Sequence, residues 1–316
     1  MLKLPGAIAF SQALRNKARR FPDRDDARYH DHYIYPNISP GFAISAGERV
    51  FTIGSCFARN VEEALAENGM DLPTLAFTAP QDEAPGRANR ILNQYNPATM
   101  LQAVRAAGTA ADTRGLYKTG LGSYVDTLLA TGSRAVSHAR AMERREQINT
   151  LYQDGLNGAG VVVITLGLVE AWYDSEDGLY LNEAPPHKLV KKSGERFEFH
   201  QLGVEECESM VSQMLELLLS EGKRNVVLTV SPVPLQVTFA GGDALLRNSY
   251  SKSVLRVVAE KMSQKFEAVD YFPSYEIITS SGLRSFGEDN VHVRPRIVGD
   301  VVKHMVGLYT KQNDAH

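Results

Sequence analysis

The chain has 316 residues, and its 34 Lys+Arg against 37 Asp+Glu leave a net charge of −3 with histidines neutral. That balance argues against a nucleic-acid binder, which would carry a basic excess. A composition of 43% hydrophobic and 22% charged residues argues against wholesale disorder. Two cysteines, Cys56 and Cys207, cannot build a disulfide scaffold and fit a reducing compartment. Met1 to Phe10, broken by Pro5, does not read as a signal peptide. No apolar run approaches the ~18 residues of a membrane span. A cytoplasmic protein is expected, at most peripheral to a membrane.

Residues 1–47 are polar, dotted with aromatics and punctuated by Pro22, Pro36 and Pro40. They read as an extension wrapping the main domain after a short helix over Ala7 to Arg20. His30 and His32 form a bare His-x-His with no further ligand cluster, so no metal is inferred. From Glu48 the pattern alternates between strands and helices. Val50 to Ile53 predicts a buried strand that stops at Gly54-Ser55. Phe57, Val61 and Leu65, spaced four apart, predict a helix ended by Gly69. Thr74 to Phe77 is read as a second strand, Gln81 to Tyr95 as loop, and Pro97 to Ala107 as helix.

Ser133 to Tyr152 predicts a long polar helix with Arg140, Arg144 and Arg145 exposed, which makes the stretch near 97–155 a helical insertion. Val161 to Thr165 is the strongest strand signal. An amphipathic helix runs from Val204 to Leu218 and stops at Gly222. A buried strand follows over Asn225 to Val230, then a helix over Val254 to Phe266, a short strand over Ala268 to Tyr271, and a last helix over Ile297 to Met305. Strands separated by helices imply an α/β fold, a three-layer α/β/α sandwich on a mainly parallel sheet, over residues 48–312. In such a sheet the ligand site lies beyond the carboxyl ends of the strands.

Gly54-Ser55-Cys56-Phe57-Ala58 sits where the first strand hands over to the first helix. A serine there exposes its hydroxyl at the carboxyl edge of the sheet, where the helix N-terminus offers free N–H groups and a partial positive charge. This suits a nucleophile whose attack creates an oxyanion. The competing reading is a plain helix N-cap. Asp289-Asn-Val-His292, just before the last helix, falls at the same edge. An aspartate three residues ahead of a histidine can fold back onto the imidazole, fix its tautomer and stabilise the cation. Together, Ser55, His292 and Asp289 are expected to act as nucleophile, base and acid.

The pentapeptide reads letter for letter like the motif that names the GSCFA family, whose members resemble the SGNH/GDSL hydrolases and acyltransferases. The resemblance runs from about Arg28 to Lys311 and takes in Gln94-Tyr-Asn-Pro97, Thr165-Leu-Gly167, Glu170-Ala-Trp172, Ser231-Pro-Val-Pro234, Ser251-Lys-Ser253 and Tyr271-Phe-Pro-Ser-Tyr275. It implies an SGNH-like fold with Ser55 as nucleophile and the Asp-x-x-His block, matching Asp289 and His292, as acid and base. The chain departs from SGNH enzymes where they carry a Gly-x-Asn-Asp block: here the stretch is Gly167-Leu-Val-Glu170, without the oxyanion-hole asparagine. Asn93, Asn96 or the backbone N–H of Gly167 are candidates to replace it, beside the N–H of Ser55 itself.

Cys56 is the alternative nucleophile, since a helix N-terminus lowers a thiol pKa, but adjacent side chains at such a corner diverge. Cys207 lies on an apolar helix face and reads as core. Glu170 is read either as orienting substrate hydroxyls or as paired with an arginine, and Ser231 as a pocket-lining residue or part of a rigid turn. Lys188, Lys191, Lys192 and Arg196 form a basic stretch, read as a solvated loop or as a site for an anionic donor. No phosphate-binding glycine loop or zinc-type cluster is present, so no tightly bound cofactor or metal is expected, with an acyl donor such as acetyl-CoA entering only as co-substrate. The expected activity is serine-dependent acyl transfer, as an esterase or as an O-acyltransferase acting on a carbohydrate or similar hydroxyl. The rival is a carbohydrate- or ligand-binding protein that keeps the fold without turnover.

Overall fold

The computed structural model describes residues 2–310. The limits expected at residue 312 for the domain and at Lys311 for the resemblance lie outside the described residues. At the centre is a parallel sheet of four strands: β1 (Val50–Gly54), β2 (Val161–Leu166), β3 (Asn225–Val230) and β4 (Val269–Tyr271), in the order β4-β3-β2-β1. Strands of a two-faced parallel sheet read as continuous apolar runs because neither face meets water. All residues of β1 and β2 are buried.

Alternate residues of these strands feed two separate cores, as the period of two requires. Phe51, Ile53, Val162, Ile164, Leu166, Val226, Leu228 and Val230 face one layer. Val50, Val161, Val163 and Val227 face the other. Eight helices need names here: α1 (Gly6–Arg15), α2 (Cys56–Glu67), α3 (Pro97–Ala106), α4 (His138–Gly158), α5 (Val204–Leu219), α6 (Ala244–Lys265), α7 (Ser274–Thr279) and α8 (Pro295–Thr310). The first core is covered by α3, α4, α5 and α6, the second by α2, α7 and α8. The chain is therefore a mixed α/β protein whose parallel sheet lies between two helical layers. Phe57, Val61 and Leu65 seat α2 on the sheet, each contributing roughly 1.5–3 kcal/mol by leaving water.

Three expectations are corrected. Thr74 to Phe77 is not a strand: Pro73–Ala76 forms one helical turn, begun by a proline whose fixed φ suits the first helical position. The stretch 97–155 is not wholly helical, because Leu116–Lys118, Ser123–Asp126 and Ala135–Ser137 form a three-stranded antiparallel sheet between α3 and α4. Arg144 and Arg145 are not exposed but buried. Arg145 grips Asp126 with two hydrogen bonds, at 2.8 and 2.7 Å, and Arg144 Nη1 lies 3.0 Å from Glu83 Oε2. Opposite charges meeting in bidentate geometry make such burial tolerable, and they clamp the small sheet to α4.

A second three-stranded antiparallel sheet, Glu170–Asp174, Leu179–Leu181 and Phe197–Gln201, follows β2. Ahead of β1, the extension touches the body through Ile34 N–H to Ser280 Oγ (2.9 Å), Gly41 N–H to Asp270 Oδ2 (2.8 Å) and Ile44 N–H to the Tyr309 carbonyl (3.0 Å).

Candidate active site

The corner after β1 is set by packing. Gly54 has φ +150°, and a Cβ placed there would lie 1.9 Å from Thr165 Oγ1 and 2.6 Å from the Thr165 carbonyl of β2. Only glycine fits. Its carbonyl accepts the Gln94 N–H at 2.9 Å, so the chain at residues 93–96 lies across the ends of β1 and β2. The next residue, Ser55, occupies the N-cap position of α2, yet its side chain makes no capping hydrogen bond. Instead its hydroxyl donates to Ser231 Oγ at 3.4 Å. Ser231 closes β3 at the same edge and is 1% exposed, while Ser55 is 5% exposed. Two serines from segments far apart in the chain thus meet at the carboxyl ends of β1 and β3, the strands on either side of β2, and the helix behind them points its free N–H groups to that spot.

The other expected site residues divide. Gly167 follows β2, and a Cβ there would come 2.6 Å from the Tyr95 carbonyl, which fixes glycine at this crossing as well. Asn93 is buried, with its side-chain oxygen unpaired among the described residues. Asn96 is occupied otherwise: its side chain accepts the Thr99 N–H at 3.0 Å and caps α3. Glu170 is also taken up, receiving the Thr238 hydroxyl at 2.6 Å and the Phe239 N–H at 3.1 Å. Neither of the readings offered for Glu170 matches this bonding; it ties down the loop that follows Ser231.

Asp289 and His292 form a pair. Nδ1 of His292 meets Asp289 Oδ2 at 2.5 Å, and Asp289 Oδ1 accepts the N–H groups of Val291 and His292 at 3.0 Å each. The His292 hydrogen bond, with those backbone donors, holds the Asp289 carboxyl at about 2. A carboxylate on Nδ1 keeps the proton there and leaves the Nε2 lone pair outward as a base. The turn is closed by Gly287 N–H to the His292 carbonyl at 2.8 Å, with Asn290 at φ +53°. No hydrogen bond joins this pair to Ser55 among the described residues. The pair leads into α8, whose last turn is bonded to Ile44, just ahead of β1.

Lys252, singled out only within Ser251-Lys-Ser253, proves central. It is 1% exposed, and its Nζ donates to the Gly167 carbonyl at 2.7 Å. Burial lowers its pKa to about 7. The signal was in the spacing, since Lys252, Leu255, Ala259 and Met262 fall on one buried stripe of α6. Burial also pushes the Cys56 thiol up, outweighing the opposing pull of Lys252 and the Phe57 N–H. The lowering by the helix N-terminus weighed for this thiol is therefore overridden, and Cys56 stays protonated. Cys207 is fully buried, its thiol pushed up to about 12 by burial.

The basic stretch is not a free loop. His187–Lys192 is a short helix, and Arg196 is committed to Asp174, Glu176 and Asp177. No group of three or more His, Cys, Asp or Glu side chains among the described residues could hold a metal ion. No helix among them is long and apolar enough to cross a membrane.

No curated protein and no solved structure matches the chain. The sequence model of the GSCFA family matches residues 49–305, from the first strand through most of α8. With the match running from the Ser55 corner past the Asp289–His292 turn, the chain belongs to the GSCFA family.

Proposed function

We propose that the protein is a serine-dependent acyl-transfer enzyme. One observation carries the reading: Ser55 stands at a helix N-cap and leaves that helix uncapped, its hydroxyl turned instead to Ser231 at the carboxyl edge of the sheet. A serine present for stability alone would be expected to take the cap. In the reaction, His292 Nε2 accepts the Ser55 proton as Oγ bonds to the acyl carbon, and Asp289 stabilises the imidazolium. The leaving group takes that proton, and an acyl-enzyme remains. An acceptor hydroxyl, deprotonated by the same imidazole, then receives the acyl group and frees Ser55. The N–H of Ser55 and that of Gly167 are the proposed oxyanion donors. Water as acceptor makes the protein an esterase; a carbohydrate hydroxyl makes it an O-acyltransferase, with acetyl-CoA as one donor of the required kind.

Apo catalytic groups are often too far apart to bond and close only around substrate, which accommodates the separate Asp289–His292 pair. That separation, with the absent Gly-x-Asn-Asp asparagine, is what favours the rival reading of a binding protein. Intact-mass measurement after a fluorophosphonate decides between them. The enzyme gains one adduct, on Ser55, that is lost in Ser55→Ala and slowed in His292→Ala. A binding protein gains none. Activity that survives Ser55→Ala and is abolished by iodoacetamide on Cys56 would transfer the nucleophile to the thiol. Rates with competing acceptors and an activated acetyl ester then separate hydrolysis from transfer.

A further inference from the structure

Among the described residues, the segment before residue 23 makes no hydrogen bond or ion pair with the site described above, and the chemistry of the first 22 residues is unlike that of the remaining chain. Lys3, Arg15, Lys17, Arg19 and Arg20 are joined there by no acidic residue, while the remainder carries 29 basic against 37 acidic residues. None of the five enters an ion pair among the described residues. Helix α1 has no buried residue. Leu2, Phe10, Leu14 and Phe21 are 85%, 75%, 69% and 89% exposed. Ala7, Phe10 and Leu14, spaced three and four apart, lie on one stripe of the helix. The base of this arm is nevertheless fastened. Arg28, locked on Asp26 at 2.9 and 2.8 Å, donates to the Ala18 carbonyl at 3.1 Å and to the Arg20 carbonyl at 2.7 Å.

We propose that α1 and the basic run behind it dock the protein on an anionic lipid surface. The apolar stripe enters the boundary between headgroups and acyl chains while the arginines and lysines meet the lipid charge. Either signal alone binds weakly; an apolar face combined with a basic cluster gives stable, reversible attachment. Other occupants fit less well. A nucleic acid would satisfy the charge and leave Phe10 and Leu14 in water. A second copy of the arm would bring five like charges against five. The acidic excess of the body repels an anionic surface, so attachment falls to the arm held out by Arg28.

The test is co-sedimentation of the full chain with vesicles of equimolar phosphatidylserine and phosphatidylcholine, compared with pure phosphatidylcholine. Binding to the mixed vesicles alone, weakened by salt, is expected. The triple variant Arg15→Gln, Arg19→Gln, Arg20→Gln should lower the affinity roughly 100-fold. Phe10→Glu should abolish detectable binding while melting temperature stays unchanged, since its side chain is exposed. The proposal is overturned by equal binding to both vesicle types, by no binding, or by variants that bind like the parent. Retention on duplex DNA without vesicle binding, or a dimer dissolved by Phe10→Glu without vesicle binding, would reassign the arm. No outcome depends on acyl-transfer activity.

Discussion

Ser55 is 5% exposed, on a corner whose glycine admits no side chain; the His292 side chain is 66% exposed, on a turn fastened by its own aspartate. Long-range pairing of β1 with β2, and of β2 with β3, builds the first. Hydrogen bonds within six residues, from Gly287 to His292, build the second. Ser55 is thus positioned by the whole fold and His292 by local chemistry. Damage to one half should spare the other.

The largest expected effect is on chemistry alone. Ser55→Ala should cut acyl-transfer rate by ~10⁴–10⁶, with an unchanged denaturation midpoint; a stability loss in urea titration would show that the serine is structural after all. Next is His292→Ala, expected to slow transfer by ~10³–10⁴ while stability moves by less than about 0.5 kcal/mol. If unfolding free energy drops well beyond that, the turn is not independent of the core and the contrast fails.

Lys252 sharpens the buried half through pH. Burial holds it at about 7, against the ordinary 10.5 that it regains on unfolding. Between those values the unfolded chain binds a proton that the folded chain does not, so stability rises with pH across the window, by up to ~1.4 kcal/mol per pH unit. Below pH 7 both states are protonated and the dependence vanishes. Lys252→Met should remove this rise, so that the stability difference between the two proteins changes with pH in urea unfolding from pH 6 to 10; parallel curves would reject the buried amine. The smallest effect is expected for Asn96→Ala, a lost helix cap worth ~1 kcal/mol, with kcat/KM unchanged. A large fall in kcat/KM would return Asn96 to the oxyanion hole.

What could be read in advance follows the same division. Val161 to Leu166 and Asn225 to Val230 announce themselves because burial on both faces leaves no polar alternation to confuse. The two three-stranded antiparallel sheets did not, because their strands are only three to five residues long, too few for a period of two to stand out. Arg144, Arg145 and Lys252 were hidden by their charge. A polar residue on a helix reads as solvated until the partner that bonds it, here Glu83, Asp126 or the Gly167 carbonyl, is brought from elsewhere in the chain. Ser55 and the Asp289–His292 turn were legible since each rests on a short motif, but the bond from Ser55 to Ser231 spans 176 residues and no local pattern encodes it.

The closeness of Gly54 to Thr165 has an evolutionary reading. In a saturation library across the five-letter motif, clones altered at Gly54, Phe57 or Ala58 should disappear as insoluble protein, because the first faces a neighbouring strand and the other two are shut inside the molecule. Clones altered at Ser55 should accumulate normally and be silent. Selection for yield and selection for turnover would then each recover different letters of one signature, packing holding some and the proposed chemistry another.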